Sequence, residues 1–307
     1  MIQFKYISEI TEEELKTNIV IPCTNQDGFQ TILIKNATKK TVESSYSTDN
    51  LDVKVNTLLS YNGCNYFFHI ITSKKQDFYS RQQFNIIYEY IFNKISNSIL
   101  DNSLFGLLNS IEDYFKTSPE KDTRKLQIGV FGELLVLKNL YDLGYEKIVK
   151  KYHNNFYSKH DIEISDKVRL EIKTTSSEKR IHRFKHNQIY RTDVKVYVIS
   201  SMLEPAQEGY SLYRLFEDVI KLYTDSDSIL ALRKLMKKCG VNEENEGLRF
   251  AMNKAIDDIF YFDSNDLPKI NFKEPKGVSN IEYDVDCSLA EEMDKDILIH
   301  LLMEESL

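Results

Sequence analysis

The chain has 307 residues, of which 42% are hydrophobic and 28% are charged. These fractions are those of an ordinary globular protein and exclude a disordered one. No stretch reaches the run of about 18 apolar residues that a membrane helix needs. The N-terminus has acids where a signal peptide would have a basic head and an apolar stretch. We therefore expect a cytoplasmic protein that makes no contact with a membrane.

The four cysteines are scattered and show no C-x-x-C spacing, which argues against a structural zinc site or a disulfide framework. We expect each to be a small buried or half-buried side chain in a reducing compartment. They are Cys23, Cys64, Cys239 and Cys287.

The net charge of −7 argues against a protein that coats nucleic acid over its whole surface. A local basic groove is still compatible with it, because screening limits the field of each charge to roughly 8 Å at cellular salt. The segment 167–195 holds nine Lys or Arg against three acids, whereas 282–305 holds nine acids and a single lysine. The middle of the chain is therefore basic and its end is acidic.

The first 117 residues are predicted to form a β-rich α+β domain. Runs of β-branched and aromatic residues separated by turn residues predict four strands. The three- and four-residue spacing of apolar positions then predicts two helices. The predicted strands are 19–21, 29–34, 51–58 and 66–71, and the predicted helices are 83–100 and 104–115.

A long helix is predicted next, with Ser118 as its N-cap, Pro119 as its first residue and Gly144 as its C-terminal cap. Gly129 and Gly132 lie inside it, and each costs up to about 1 kcal/mol relative to alanine. A helix that keeps two glycines is expected to pack very closely against another element.

The rest of the chain alternates strand and helix patterns. Strands are predicted at 148–151, 161–164, 168–174 and 194–201, with a basic loop and a short helix between the last two. Helices at 212–223, 229–239 and 246–251, a strand pair at 258–262 and 281–285, and a closing helix at 289–303 complete the prediction.

The segment KHDIEISDKVRLEIKTT, residues 159–175, alternates apolar and polar positions strictly. Alternation places its five aliphatic residues on the buried face of a hairpin and its charged residues on the opposite face. If the turn centres on Asp166, cross-strand partners have residue numbers that sum to 332. Asp161 is then opposite Glu171, and Glu163 is opposite Arg169. A two-residue turn would shift this register by one.

Glu163 and Arg169 form a favourable pair of opposite charges, whereas Asp161 and Glu171 are like charges whose Cβ atoms would lie about 4.5–5.5 Å apart. A divalent cation relieves that repulsion, because hard oxygen ligands suit Mg²⁺ or Mn²⁺. Lys173 shares the face and is placed to orient or deprotonate an attacking water, or to stabilise charge on phosphorus. The alternative interpretation is a solvated polar face on an exposed hairpin.

Asp161 followed by the Glu171-Ile172-Lys173 motif, after a helix bearing Gly132-Glu133, resembles the PD-(D/E)XK nuclease superfamily. The resemblance implies an α+β fold with a restriction-endonuclease-like αβββαβ core. It also implies that Asp161 and Glu171 are metal ligands, that Lys173 completes the catalytic set, and that Glu133 assists as a further ligand. The proline that usually precedes the first acid is His160 in this chain.

The segments GVFGELLVL, KHDIEI, RLEIKTT, HRFKHNQ and LPKINFKEPKGVSNIEYDVD occur in that order and are similar to an uncharacterised bacterial family of PD-(D/E)XK proteins. Its members are encoded in restriction and phage-defence neighbourhoods. The similarity implies helicase-like ATPases and DNA methyltransferases as partners. Since cutting both DNA strands commonly needs two active sites, a homodimer is also an expected arrangement.

The segment that follows the E-x-K motif contains six candidate DNA contacts. Five are basic and are expected to bind phosphates on either side of the cut, giving sequence-independent affinity; the alternative is a solvated basic loop. Gln188 matches a polar position of the family pattern and is expected either to touch a phosphate, to support Lys173 or to be a surface residue. The basic residues are Lys179, Arg180, Arg183, Lys185 and Arg191.

The sequence thus predicts three parts: an N-terminal domain at 1–117, a nuclease core at 118–225, and a C-terminal extension at 226–307 that packs on the core. The predicted activity is Mg²⁺-dependent hydrolysis of DNA, with Mn²⁺ as a second suitable ion. Two alternatives stay open. One is a non-catalytic DNA-binding or assembly subunit of a defence complex, and the other is a structure-specific repair nuclease.

Overall fold

A computed structural model of the chain describes residues 4–36, 44–96, 104–152, 160–272 and 275–305. The chain forms two compact units. The first unit comprises residues 1–117 and 225–230, and the second comprises residues 118–224 and 231–307. Among the described residues, no helix has the length and apolar character needed to cross a membrane.

The strands of the first unit are β1 (Lys5–Tyr6), β2 (Val20–Thr24), β3 (Gln30–Lys35), β4 (Ser44–Ser47), β5 (Leu51–Tyr61) and β6 (Cys64–Ser73), and its helices are α1 (Glu12–Thr17), α2 (Phe78–Ser96) and α3 (Leu104–Lys116). Among the described residues, the strands form one six-stranded sheet in the order β1-β2-β3-β6-β5-β4. Asn62 and Gly63 both have positive φ and connect β5 to β6 in a tight hairpin, which is the backbone that an Asn-Gly pair favours. Buried α2 residues spaced three and four apart pack against the sheet, as the periodicity predicts.

The remainder of the chain alternates helices with short strands. In chain order the elements are α4 (Thr123–Asp142), β7 (Ile162–Glu163), β8 (Val168–Thr175), β9 (Ile181–Lys185), α5 (His186–Ile189), β10 (Lys195–Met202), β11 (Pro205–Ser211), α6 (Leu212–Ile220), α7 (Ser226–Lys238), β12 (Arg249–Phe250), α8 (Met252–Asp257), β13 (Ile259–Asp263), β14 (Glu282–Asp286) and α9 (Lys295–Glu304).

The central sheet of the second unit has the order β13-β10-β8-β7. Strand β7 pairs with β8 antiparallel, and β8 pairs with β10 in parallel. Tyr152 forms an antiparallel bridge to Ile162 on β7, which supplies a first strand position before β7 and β8. Helix α4, this bridge, β7, β8, α5 and β10 follow one another in the chain, with β9 inserted before α5 and paired with β14 outside this sheet. The combination of helices with a mixed sheet confirms the predicted α+β fold class.

Helix α4 begins at Thr123 with Asp122 as its N-cap, so the predicted start at Ser118-Pro119 is wrong. The backbone of this earlier segment is bonded elsewhere, since the Glu120 N–H donates to the Lys238 carbonyl at 3.0 Å. The predicted end is confirmed. Gly144 has φ +95° and its N–H bonds to Tyr141, while the Tyr145 N–H bonds to Leu140, which together form a Schellman cap.

Gly132 explains why α4 lies close to the sheet. A Cβ atom built on Gly132 would be 1.8 Å from Oγ1 and 2.7 Å from Cβ of Thr174 on β8. Gly129 has no atom within 4 Å of the corresponding position. The expected close packing therefore applies to Gly132 alone, and it brings the middle of α4 against β8.

Several predicted elements are wrong. The predicted strand 148–151 is a 3-10 helix over Glu146–Lys150, and the basic segment contains strand β9 in place of a loop. The predicted strands 258–262 and 281–285 exist as β13 and β14, but β13 pairs with β10 and β14 pairs with β9. The predicted helix 246–251 is strand β12 followed by α8, and the closing helix begins only at Lys295.

Substituting Gly132 tests the contact between α4 and β8. Gly132→Ala should lower the free energy of unfolding by about 1–3 kcal/mol, because the Thr174 side chain and its backbone must move. Gly129→Ala, the matched control on the same helix, should raise it by up to about 1 kcal/mol through helix propensity. Urea denaturation measures both values, and equal effects of the two substitutions would contradict the packing.

Candidate active site

The register of β7 and β8 is the one predicted. Ile162 pairs with Leu170 and Glu163 pairs with Arg169, so partner numbers sum to 332. The Glu163 and Arg169 side chains form an ion pair of 3.5 Å. Asp161 directly precedes β7, at the level of Glu171 on β8. The hairpin thus brings the two acids to neighbouring positions.

The polar face of the hairpin is covered by protein at Glu171. The five aliphatic residues of the hairpin are buried, as alternation predicts. Glu171 lies on the opposite face of β8 and is only 1% exposed. The alternative of a solvated polar face therefore does not hold at this position. A buried carboxylate needs donors, since burying an unpaired charge costs much free energy.

Three side chains bind the Glu171 carboxylate. Its Oε1 atom lies 2.7 Å from the Lys173 ammonium and accepts a hydrogen bond of 2.6 Å from the Gln188 amide. Its Oε2 atom lies 3.2 Å from Nδ1 of His160. Gln188 is therefore part of the site rather than a surface residue. It is held there because its own oxygen accepts the Lys185 backbone N–H at 2.9 Å.

Asp161 is fixed by the backbone of the neighbouring strand. Its Oδ2 atom accepts the Ile172 N–H at 2.6 Å. Within the part of the chain that the structure describes, its Oδ1 atom accepts no hydrogen bond. One oxygen thus orients the side chain and leaves the other for a ligand.

Glu133 reaches the same region from α4. Its Oε2 atom accepts a hydrogen bond of 2.8 Å from the Tyr152 hydroxyl. Glu133 follows Gly132, so the contact of Gly132 with Thr174 brings this carboxylate toward the E-x-K strand. The Tyr152 bridge to β7 holds the donor in place.

The three acids repel one another electrostatically. Burial, partly offset by the Tyr152 hydrogen bond and increased by the charge of Glu171, raises the pKa of Glu133 to about 7. Burial and then the charges of Glu171 and Glu133 raise the pKa of Asp161 well above its usual range. Lys173 opposes both shifts, and its ammonium also lies 5.1 Å from the centre of the Phe184 ring. Clustered acids whose protonation is favoured in this way are typical of a site that binds a cation.

The donor chemistry fits Mg²⁺ or Mn²⁺. Among the described residues, no group of three or more His, Cys, Asp or Glu is arranged closely enough to enclose a metal ion. Mg²⁺ does not require such a cage, because it is usually bound by one or two carboxylates together with waters and substrate phosphates. Asp161 and Glu171 provide two carboxylates of the kind that such a partial site uses, and Glu133 lies on the neighbouring helix α4.

The basic residues after the E-x-K strand divide into three groups. Lys179, Arg183 and Lys185 are exposed, and Arg183 pairs with Asp284 at 2.9 Å. Arg191 is half-buried and pairs with Asp193 at 2.5 Å. Arg180 is buried, which separates it from the others.

The prediction that Arg180 binds a DNA phosphate is wrong. Its guanidinium donates to the Ser200 carbonyl and hydroxyl, each at 2.8 Å, and to the Asp258 carbonyl at 3.0 Å. It also lies 3.9 Å from the centre of the Phe260 ring, and the residue is only 6% exposed. Arg180 therefore connects the start of β9 to β10 and to the residue before β13, and its guanidinium is bonded within the protein.

Sequence reasoning missed two residues of the site, His160 and Tyr152. His160 is 5% exposed and contacts Glu171. Its place next to Asp161, where the superfamily has proline, was the available signal. Tyr152 gave no signal, since its role depends on the bridge to β7. His182 and His186 are also buried, and His153 lies outside the described residues.

The burial of Arg180 can be tested against its exposed neighbour. Arg180→Ala should lower the free energy of unfolding by about 3 kcal/mol, because three buried carbonyl or hydroxyl oxygens lose a charged donor. Lys179→Ala should change it by no more than about 0.5 kcal/mol. Chemical denaturation provides both values. An Arg180→Ala variant with the unfolding free energy of the wild type would contradict the structural role of Arg180.

The hydrogen bond from Tyr152 should lower the pKa of the Glu133 carboxyl group. The hydroxyl stabilises the ionised carboxylate, so Tyr152→Phe should raise the pKa of Glu133 above about 7. Carbon-13 NMR of the glutamate carboxyl groups in metal-free buffer measures this pKa. A pKa that falls in the variant would show that the hydroxyl does not bind the ionised form.

A family model described as "Putative PD-(D/E)XK family member, (DUF4420)" matches residues 5–288. No curated protein and no solved structure matches the chain. The match covers most of the chain, including Glu133, Asp161 and the E-x-K motif. The chain therefore belongs to this family of nuclease-like PD-(D/E)XK proteins.

Proposed function

We propose that the protein is a Mg²⁺-dependent endonuclease that hydrolyses DNA phosphodiester bonds. The observation that carries the proposal is the meeting of Asp161, the buried Glu171 and Lys173 at adjoining strands. The family membership supports a nuclease over other metal-dependent hydrolases.

Asp161 and Glu171 would hold the metal, with Glu133 assisting. When bound, a divalent ion polarises a phosphoryl oxygen and lowers the pKa of a water ligand. The Oδ1 atom of Asp161, which accepts no hydrogen bond from the described residues, would be one ligand atom. Glu171 already forms an ion pair with the Lys173 ammonium through Oε1.

Lys173 would act on the attacking water and on the charge that develops at phosphorus. Its ammonium is held by Glu171 and by the Gln188 oxygen, the latter at 3.5 Å, and the side chain is 21% exposed. Lys173 can thus meet substrate while remaining oriented. Water attacks phosphorus in line and releases a proton to solvent, the P–O bond to the leaving oxygen breaks, and that oxygen takes up a proton from solvent. Lys173 would stabilise the additional negative charge during this exchange.

DNA is the substrate that the exposed basic side chains favour. Lys179, Arg183 and Lys185 follow the E-x-K strand in the sequence and would bind backbone phosphates. Alternation along β9 places Arg183 and Lys185 on the face opposite buried Phe184.

A role in restriction or anti-phage defence is part of the proposal, with an ATPase and a DNA methyltransferase as partners. A homodimer would supply two active sites for cutting both strands.

Substitutions within the hairpin test the catalytic assignment. Asp161→Asn and Lys173→Ala should each reduce Mg²⁺-dependent cleavage by at least about 100-fold, the scale expected for loss of a catalytic group. Glu163→Gln, which removes an acid of the same hairpin outside the site, should retain wild-type cleavage. Plasmid, hairpin and single-stranded DNA with and without Mg²⁺ serve as substrates, and circular dichroism confirms folding.

The outcomes separate the alternative functions. Defined plasmid fragments support a restriction-type endonuclease, and preference for branched substrates supports a repair nuclease. DNA binding without products in the wild-type protein supports a non-catalytic subunit. Undiminished cleavage by either Asp161→Asn or Lys173→Ala would refute the proposed site.

A further inference from the structure

His160 holds the Glu171 oxygen that Lys173 and Gln188 do not hold. The His160 Nδ1 atom lies 3.2 Å from Oε2, and both side chains are almost completely buried, at 2% and 1% exposure. An ionised carboxylate only accepts hydrogen bonds, so the contact with an ionised Glu171 is made by the His160 tautomer that carries its hydrogen on Nδ1. The Glu171 carboxylate is therefore bound on both oxygens by donors from different elements.

His160 and Asp161 bind two consecutive residues of β8, Glu171 and Ile172. The His160 ring binds the Glu171 side chain, and the Asp161 carboxylate accepts the Ile172 backbone N–H at 2.6 Å. Two neighbouring side chains thus attach the start of β7 to the E-x-K strand. The same short segment sets the position of one carboxylate and the orientation of the other.

We propose that His160 is a positioning residue that orients the Glu171 carboxylate for binding a divalent metal. This inference rests on the proposed function. The terminal torsion of a glutamate side chain is broad and has no sharp preferred angle, so donors must fix the carboxylate plane. His160 stands where the superfamily has proline, which has no side-chain donor. The contact is therefore an additional restraint in this chain.

The cost of losing this restraint should appear in metal affinity. Outer residues that orient metal ligands typically contribute about 10- to 100-fold to affinity. Mg²⁺ requires nearly ideal octahedral geometry, so its affinity should be sensitive to a carboxylate that rotates. Folding should be affected less, because Lys173 and Gln188 still neutralise and satisfy Oε1.

Two variants of similar volume separate the hydrogen bond from packing. His160→Asn keeps an N–H donor close to the position of Nδ1, whereas His160→Leu has no donor. His182→Asn is the matched control, since His182 is another buried histidine whose ring contacts a hydroxyl, that of Ser200, at 2.7 Å. Mn²⁺ affinity of each full-length protein, measured by electron paramagnetic resonance of free Mn²⁺ without DNA, is the readout, together with the melting temperature.

His160→Leu should weaken Mn²⁺ binding by about 10-fold or more. His160→Asn should restore most of the affinity, and His182→Asn should bind Mn²⁺ as the wild type does. Wild-type affinity in His160→Leu, with loss of binding in Asp161→Asn, would overturn the positioning role and leave the metal site intact. Absence of Mn²⁺ binding in the wild-type protein would overturn the proposed metal site and the positioning role with it.

If His160→Leu does not fold, nitrogen-15 NMR of the wild-type imidazole decides the matter. Mg²⁺ should shift the His160 ring signals, because Nδ1 donates to a carboxylate whose charge the ion withdraws, and should leave the His182 signals in place. Unchanged His160 signals at a Mg²⁺ concentration that saturates the protein would overturn the proposal.

Discussion

Three donors surround one buried carboxylate in the second unit, and the placement of the site depends on this arrangement. Glu171 is 1% exposed and accepts contacts from Lys173, Gln188 and His160. Each donor comes from a different part of the chain: the same strand, the short helix α5 and the segment before β7. The carboxylate can be buried only where all three meet, so the charge that is costly to bury also fixes the local arrangement of the chain.

Close contact between α4 and β8 brings the third acid to the site. Gly132 leaves no room for a Cβ atom beside Thr174, and the next residue, Glu133, meets the Tyr152 hydroxyl. Burial and the charge of Glu171 then raise the pKa of Glu133 to about 7. A glycine that weakens helix propensity thus allows an acid to approach two others. The resulting repulsion is the property that a divalent cation would relieve.

The sequence predicted the parts of the site that depend on local periodicity. Strict alternation from Ile162 to Ile172 defined the hairpin, its register and the neighbouring positions of Asp161 and Glu171. What it could not predict were contacts between distant segments. His160 and Tyr152 act through tertiary contacts that no spacing reports, and Arg180 resembled its exposed neighbours because its partners, Ser200 and Asp258, come from later strands. For the same reason β9 looked like a loop, since its partner β14 lies about a hundred residues further along the chain.

A crystal structure with Mn²⁺, recorded at a wavelength where manganese scatters anomalously, tests the central claim most directly. We predict an anomalous peak between the carboxylates of Asp161 and Glu171, within the roughly 2.0–2.2 Å reach of a metal–oxygen bond. His160 should remain bonded to Glu171. A peak at another place on the protein, with Glu171 still enclosed by its three donors, would contradict the account.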